Sequence, residues 1–233
     1  MSRQGKLAAL ASTGVTKTEL DNIDGGTARG TTAIADGDGV LINDAGTMRM
    51  TSVETMATYM GTKIGGGIEF IASSGEMSGA ASASFTGFDS SKYDNYVFYF
   101  NYVKPATDNQ KLFAYASTNG GSSYDETNGN YHYNGLTDTT GFNINHQSPA
   151  GNDTNEYGIS GELRLFKPHA SAYTTAYVAT VVYNTSSYLY RGADGDNRGS
   201  AYLSTTEVNA IQFKFASGNI GSGEIVMFGR VNS

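Results

Sequence analysis

Residues 119–158 concentrate side chains that suit the recognition of a surface or of a small polar ligand. Tyrosine offers a large contact area at low entropic cost, and asparagine, serine and glycine offer adaptable hydrogen bonding. Aromatic rings beside amide groups also suit sugar rings, which present C–H patches next to hydroxyl groups. Asn, Gly and Ser dominate ordinary solvated loops as well, so that interpretation stays open. The candidate ligand-binding residues here are Tyr124, Asn130, Tyr131, His132, Tyr133, Asn143, Asn145 and Tyr157.

A second predicted surface loop, residues 186–200, has a similar composition. It also holds Asp194 and Asp196, and clustered carboxylates are the ligands that calcium prefers. The loop lacks the bidentate glutamate of a calcium-binding loop, so a plain turn is favoured over a metal site. It adds three candidate ligand-binding residues: Tyr188, Tyr190 and Arg191.

No pattern in the chain is typical of a catalytic or metal centre. The three histidines do not follow the spacings of known metal-ligand motifs. No G-x-S-x-G nucleophile elbow occurs. Glycan hydrolysis would need two carboxylates on either side of one sugar bond, and sequence spacing does not show which carboxylates could meet. The possible ones are Asp125, Glu126, Asp138, Glu156 and Glu162. We therefore predict no enzymatic activity, no bound metal and no cofactor.

Composition restricts the fold class and the partners. The 233 residues include 30 Gly, 16 Tyr and 11 Phe, and only 16% are charged, which is typical of a mainly β protein. A net charge of −7 disfavours nucleic acid and anionic membrane surfaces as partners. No apolar run approaches the roughly 20 residues of a membrane span, so we expect no membrane insertion. The absence of cysteine excludes disulfides and fits synthesis in a bacterial cytoplasm.

The C-terminal region, residues 68–233, predicts short strands separated by turns. Asn95–Val103 is an almost continuous aromatic and β-branched run, typical of a strand buried on both faces. Ile211, Phe213 and Phe215 alternate with polar residues, so these apolar side chains share one face of a strand. Many short strands with turns favour a β-sandwich of jelly-roll-like type. The other predicted strands are Gln110–Ser117, Ile159–Phe166, Thr174–Tyr183, Val208–Ala216 and Glu224–Val231.

The first 64 residues differ from the rest and form a predicted attachment and oligomerisation segment. Turn signals flank Val40–Ile42 and predict a hairpin with Thr47–Thr51, followed by a short helix with a Ser or Thr N-cap. Residues 1–35 carry a sparse apolar stripe that favours self-association, with a disordered arm as the alternative. The residues expected to pack between chains are Leu20, Ile23, Val53, Met56 and Met60.

Several stretches resemble segments of bacteriophage tail fibres. Thr16–Gly25 is similar to the element T-x-x-E-L-x-x-[IL]-D-G of their connectors, and Asp38–Gly46 to the turn D-G-[VI]-L-[IV]-x-D-x-G that follows it. Phe85–Phe98 is similar to the F-x-G-[FL]-D-S-x-x-Y-D-x-Y-x-F motif of terminal fibre domains. Tyr115–Asp125, Y-A-S-T-N-G-G-S-S-Y-D, also resembles such domains. These are scaffold motifs and carry no catalytic role.

The resemblance implies a short tail fibre or receptor-binding protein on the tail of a virion, made in the host cytoplasm. Fibres of this kind are homotrimers that attach to other tail or baseplate proteins. They bind a bacterial surface glycan or an outer-membrane receptor. Under this interpretation, replacing Tyr131 and Tyr133 is expected to abolish adsorption to cells.

The sequence also leaves other roles open. A capsid decoration, head-fibre, baseplate or adaptor protein without a receptor could use the same fold. A bacterial lectin-like module is a further alternative, although the connector element speaks against it. A depolymerase is the enzymatic alternative, although the chain lacks the long β-helical repeat typical of that class.

Overall fold

The structure is a computed structural model, and it describes residues 31–63, 67–133, 136–145, 149–184, 188–191 and 198–231. Only the backbone is described at 62–63, 136–138, 183–184, 188–191 and 198. The chain divides into two compact units, Met1–Lys63 and Ile64–Ser233. Strands predominate in the part of the chain that is described, so the predicted mainly β class is confirmed.

In the first unit, a hairpin joins strands β1 (Gly39–Asp44) and β2 (Thr47–Ser52). The two strands pair antiparallel, as the sequence predicted. Ala45 and Gly46 form the turn with φ of 50° and 91°, a left-handed geometry that matches the twist of the two strands. The N–H of Gly46 donates to Oδ1 of Asn43 at 2.7 Å, so a side chain completes the turn.

A helix, α1 (Val53–Lys63), follows the hairpin directly. Ser52 is its N-cap, because its hydroxyl accepts a hydrogen bond from the N–H of Thr55 at 3.1 Å. Glu54 places a negative charge in the first turn, where the helix dipole favours it. The predicted short helix is therefore present, and its predicted start is correct.

The second unit contains two antiparallel sheets. The larger sheet has the strand order β3-β15-β5-β10-β11-β13-β7-β8, with β12 also paired to β11, and the smaller sheet has the order β4-β14-β6-β9. The strands are β3 (Ile68–Ser73), β4 (Ala83–Phe85), β5 (Tyr93–Pro105), β6 (Leu112–Ser117), β7 (Tyr131–Tyr133), β8 (Leu136–Thr139), β9 (Phe142–Asn143), β10 (Gly158–Phe166), β11 (Thr174–Asn184), β12 (Tyr188–Arg191), β13 (Arg198–Tyr202), β14 (Ala210–Phe215) and β15 (Ile220–Val231).

The two sheets pack face to face around an aromatic core, as in a β-sandwich. Phe213 of β14 lies 5.2 Å from Phe98 and 5.4 Å from Phe100 of β5, measured between ring centroids. Phe85 of β4 contacts Phe98 edge to face at 5.5 Å. These contacts join the sheets because alternate residues of each strand point inward. The predicted inward set on β14 is confirmed, since its buried apolar residues are Ile211, Phe213 and Phe215.

One predicted strand has a different environment from the one expected. Asn95–Val103 lies within β5, but it is not buried on both faces. Tyr102 is 63% exposed, and Asn101 beside it is exposed as well. Tyr102 also has φ of 51°, and the register with β15 shifts here between Ser222 and Glu224. A bulge therefore turns this end of the strand toward solvent.

The two segments predicted as surface loops contain sheet strands instead. Residues 119–158 include β7, β8 and β9, and residues 186–200 include β12 and the start of β13. The sequence predicts loops here because the residues that flank these short strands are rich in Asn, Gly and Ser. In the described ranges, no helix has the length and apolar character that crossing a bilayer requires.

Candidate functional site

Tyr131 is part of the core, which corrects its prediction as a surface contact residue. It is fully buried, and its ring lies 5.1 Å from that of Phe142 and 4.9 Å from that of Tyr202. Its hydroxyl donates to the backbone oxygen of Asp125 at 2.7 Å and accepts from the N–H of Ala116 at 2.9 Å. Burial raises the pKa of this hydroxyl, so it stays a neutral donor. Tyr131 therefore anchors the 116–125 segment and does not face a ligand.

Three other predicted contact residues are also buried, so the expectation of surface exposure is wrong for them. Tyr133 is 4% exposed, Asn143 6% and Asn145 0%. Oδ1 of Asn145 accepts from the N–H of Leu112 at 2.7 Å, and its Nδ2 donates to the oxygen of Gln110 at 3.2 Å. The Asn145 amide thus takes the place of a neighbouring strand.

Asn130 belongs to a polar cluster centred on the carboxylate of Asp125. Nδ2 of Asn130 donates to Asp125 Oδ2 at 2.7 Å, and the hydroxyl of Tyr202 donates to the same oxygen at 2.9 Å. The N–H of Thr127 donates to Oδ1 at 2.9 Å. Burial alone would raise the pKa of Asp125, but these hydrogen bonds outweigh it and lower that pKa.

A polar cavity of about 330 Å³ adjoins this cluster, and Tyr124 is among its lining residues. The Asp125 carboxylate, which could have served in hydrolysis, already accepts three hydrogen bonds from the protein. It therefore holds the loop in place. Tyr124 is half-buried at the rim, so a contact role for it remains a prediction.

Tyr157 is the predicted contact residue with the greatest exposure among the described side chains of that set, at 65%. Its ring lies 5.9 Å from that of Tyr102, which is also exposed. Two exposed tyrosines side by side offer an aromatic surface at the bulge of β5. For Tyr188, Tyr190 and Arg191 the structure gives the backbone of β12, and their side chains lie outside the described residues, as do Asp194 and Asp196.

A shallow trough lies on the outer face of the larger sheet, where β10, β11, β13 and β7 run side by side. Strand register places Phe166 opposite Thr175, Thr175 opposite Ala201, and Ala201 opposite His132. The trough has a volume of about 530 Å³, within the usual range for small-molecule sites. Of the predicted candidates, His132 alone among those with described side chains lines it.

The walls of the trough are aromatic and its floor is made of small residues. Phe166 is 41% exposed, and the rings of Tyr177 and His132 are half-buried. Between them, Gly199 and Ala201 of β13 leave the sheet backbone close to the surface. Sequence analysis missed Phe166, Tyr177 and Gly199. Phe166 and Tyr177 lie at outward positions of predicted strands, which was a usable signal. Gly199 lies in the predicted loop 186–200, and the sequence does not show that β10, β11, β13 and β7 are neighbours.

The residues Glu207, His169 and Tyr96 form a hydrogen-bonded chain. Nδ1 of His169 lies 2.7 Å from Glu207 Oε1, and its Nε2 lies 2.8 Å from the hydroxyl oxygen of Tyr96. The order of carboxylate, imidazole and hydroxyl is that of a nucleophilic triad. Tyr96 is fully buried, however, and burial raises its pKa, so the hydroxyl stays protonated and out of reach of a substrate. The hydrogen bonds among Glu207, His169 and Tyr96 therefore have a structural role.

The residues expected to mediate oligomerisation lie in the first unit. Leu20 and Ile23 fall outside the described residues. Val53 and Met56 are half-buried, and Met60 is 52% exposed. Met56 and Met60 line a groove of about 680 Å³ between α1 and the hairpin. The groove is an open apolar surface within the first unit.

Comparison with known proteins identifies no family. No protein-family model matches the chain, and no curated protein matches it. Within the described ranges, no cluster of three or more His, Asp and Glu side chains is arranged to hold a metal ion. A functional assignment therefore rests on the geometry of the two units and of the trough.

Proposed function

We propose that this chain is an attachment protein of the bacteriophage tail-fibre kind, a homotrimer that binds the surface of a host bacterium. The observation that supports it most strongly is the contrast between the two units. The second unit has a complete aromatic core, whereas residues 31–61 of the first contain no buried side chain. A segment whose apolar side chains are exposed in this way gains a core by association with further copies.

The apolar surface of the first unit supports its role in trimer formation. Leu41, Met48 and Met50 of the hairpin are 52%, 57% and 72% exposed, and Tyr59 and Met60 of α1 are 61% and 52% exposed. Leu41, Met48 and Met50 share one face of the hairpin, whereas Tyr59 and Met60 lie beside Ile42 of its other face. Exposed apolar side chains grouped in this way mark interaction surfaces. Three copies would cover these side chains and join the helical segments into the N-terminal connector of the fibre.

The second unit would serve as the rigid receptor-binding head. Successive strands β3 to β7 alternate between the two sheets, a connectivity that supports a jelly-roll-like sandwich. A packed sandwich holds surface side chains in fixed positions, which lowers the entropic cost of binding. Three heads on one fibre would multiply a weak interaction through avidity.

The proposed setting is the virion tail, with synthesis in the host cytoplasm and attachment through other tail or baseplate proteins. The head would bind a surface glycan or an outer-membrane receptor without acting as an enzyme. Two groups that could have been catalytic, the Glu207–His169–Tyr96 chain and the Asp125 carboxylate, are engaged within the protein, which supports a binding role. Tyr96 is fully buried, and the Asp125 carboxylate already accepts three hydrogen bonds from the protein.

A second candidate is a capsid decoration, head-fibre, baseplate or adaptor protein without receptor binding. An exposed apolar patch at the β3 edge of the sandwich favours it. Ile68 and Phe70 are 56% and 61% exposed, and Phe70 contacts Phe228 edge to face at 5.9 Å. Such a patch suits permanent packing against another virion protein.

Binding to intact cells separates the two candidates. Fluorescently labelled full-length protein is expected to stain some members of a panel of bacterial strains. Excess unlabelled protein should displace that staining, because the receptor sites are saturable. A trimer that stains no strain would contradict the receptor-binding proposal and favour the structural role.

A further inference from the structure

We propose that the trough formed by His132, Phe166, Tyr177 and Gly199 binds a neutral saccharide. This inference rests on the proposed attachment function and adds the ligand class and the site. It moves the recognition surface from loop tips, where the sequence placed it, to the outer face of the larger sheet. Of the predicted contact residues, it retains His132.

The shape of the trough suits a flat ring lying on the sheet. Gly199 sits on its floor, and a Cβ atom added there would meet no heavy atom within 4 Å. The space above this backbone is therefore open to a ligand. Phe166 stands at one side and His132 at the other, with Thr175 and Ala201 between them in the same cross-strand row. A volume of about 530 Å³ accommodates a small saccharide.

The chemistry of the lining matches the two faces of a sugar. The exposed ring of Phe166 and the ring of Tyr177 offer apolar surfaces to the C–H patches of a pyranose. The imidazole of His132 and the hydroxyls of Thr175 and Tyr177 make no hydrogen bond to any other described residue. These groups are donors and acceptors that sugar hydroxyls can engage.

The charge of the trough favours a neutral ligand. Its lining contains no carboxylate and no Lys or Arg among the described side chains. Arg164, directly opposite Tyr177 on the neighbouring strand, is engaged by Glu162 at 2.7 Å. Among the described side chains, an anionic sugar would find no available cation here and a cationic ligand no available carboxylate. Sugar hydroxyls require neither.

The test is saturation-transfer NMR of the full-length protein with six neutral monosaccharides: glucose, galactose, mannose, rhamnose, N-acetylglucosamine and N-acetylgalactosamine. The variant Gly199→Trp fills the trough at a position with open space and no positive φ. Gly67→Trp is the matched control, because Gly67 is also exposed and unobstructed but lies beside β3, at the opposite edge of the sheet. Phe166→Ala removes one wall without filling the trough.

We expect saturation transfer to at least one of the six sugars in the wild type and in Gly67→Trp. The affinity should fall about tenfold or more in Gly199→Trp and Phe166→Ala, as for a central contact residue. Equal transfer in Gly199→Trp, or no transfer from any sugar, would overturn the inference. Circular dichroism of each variant confirms that the sandwich is folded.

Cell staining with the same variants separates this inference from the proposed function. Loss of staining in Gly199→Trp, with staining kept in Gly67→Trp, supports both. Staining that persists unchanged in Gly199→Trp places attachment elsewhere on the protein, so the trough is not the attachment site and the attachment proposal stands. Saccharide binding at the trough by a protein that stains no strain supports the site and contradicts the attachment proposal.

Discussion

The two units of the chain use apolar residues in opposite ways. In the sandwich, Phe98 and Phe213 meet across two sheets, and their side chains are 0% exposed. In the hairpin and helix unit, Met48 and Met50 lie on the open face of a two-stranded sheet. A two-stranded hairpin with one helix is too small to enclose a core. Apolar content alone therefore does not predict burial; the number of layers available to cover it does.

The difference also separates the roles of local and long-range signals. The hairpin and α1 form from a turn and a cap, Asn43–Gly46 and Ser52, which act within a few residues. The sandwich depends on contacts between strands far apart in the chain, such as β5 with β15. Residues 31–61 of the first unit thus have defined local structure without buried side chains, and the second unit has both local structure and a buried core.

Loss of the core ring should have the largest effect. Phe98→Ala is expected to lower the free energy of unfolding by about 3–5 kcal/mol, because it leaves a cavity between two sheets. Met50→Ala, at an exposed position of the first unit, should leave the unfolding transition of the sandwich unchanged. Urea denaturation followed by far-UV circular dichroism measures both. A smaller loss for Phe98→Ala than for Met50→Ala would break the contrast between the units.

For trimer formation, we expect substitutions in the first unit to have the larger effect. The double variant Met50→Ser with Met60→Ser should weaken the trimer by about 3 kcal/mol per chain, since full burial of one methionine contributes about 1.5–3 kcal/mol. Thr58→Ser on the same helix is the control. Sedimentation velocity over a concentration series gives the dissociation constants. If the double variant and the control dissociate alike, these methionines do not lie in the interface.

Buried Tyr131 and exposed Tyr157 should differ in how much their hydroxyl groups contribute to stability. Tyr131→Phe should lower the free energy of unfolding by about 1–3 kcal/mol, because the buried N–H of Ala116 loses its acceptor. Tyr157→Phe, at a position that is 65% exposed, is expected to change it by less than about 0.5 kcal/mol. Equal effects in chemical denaturation would show that the hydroxyl of Tyr131 is not a structural partner.

A smaller effect is expected at low pH. The pKa of Asp125 is lower in the folded chain than in the unfolded chain. Its stabilisation is therefore present above the unfolded pKa of about 3.9 and is lost as the pH falls through the lower folded value. Asp125→Asn should be less stable than the wild type at neutral pH and should lose less stability below about pH 4. Thermal melts over a series of pH values measure this difference. Asp94→Asn is the control for the loss of one negative charge.

Much of the fold was predictable because alternation is a local signal. The strands β10, β11 and β14 begin and end within two residues of their predicted bounds. The pairing of the two hairpin strands and the start of the helix were also predicted correctly. In each case apolar residues at fixed spacing, or a turn residue at a fixed offset, carried the information.

The candidate site was harder to predict because its neighbours are distant in sequence. The sequence predicts Tyr131 as a contact residue, since nothing in it shows that the Tyr131 hydroxyl meets Ala116 and Asp125. Likewise, the trough requires β7 to lie beside β13 and β13 beside β11, an order that the chain does not reveal locally. The residue types predict a recognition surface, but the order of the strands determines which of these side chains lie close together.

Trimer formation is proposed to cover the exposed apolar side chains of residues 31–61. Light scattering after size exclusion of the full-length protein tests it most directly. We expect a homotrimer, with a mass near three times the 24.6 kDa of one chain, that persists in mild denaturant. A monomer at micromolar concentration would contradict the trimeric fibre proposal and leave the lectin-like or adaptor alternatives.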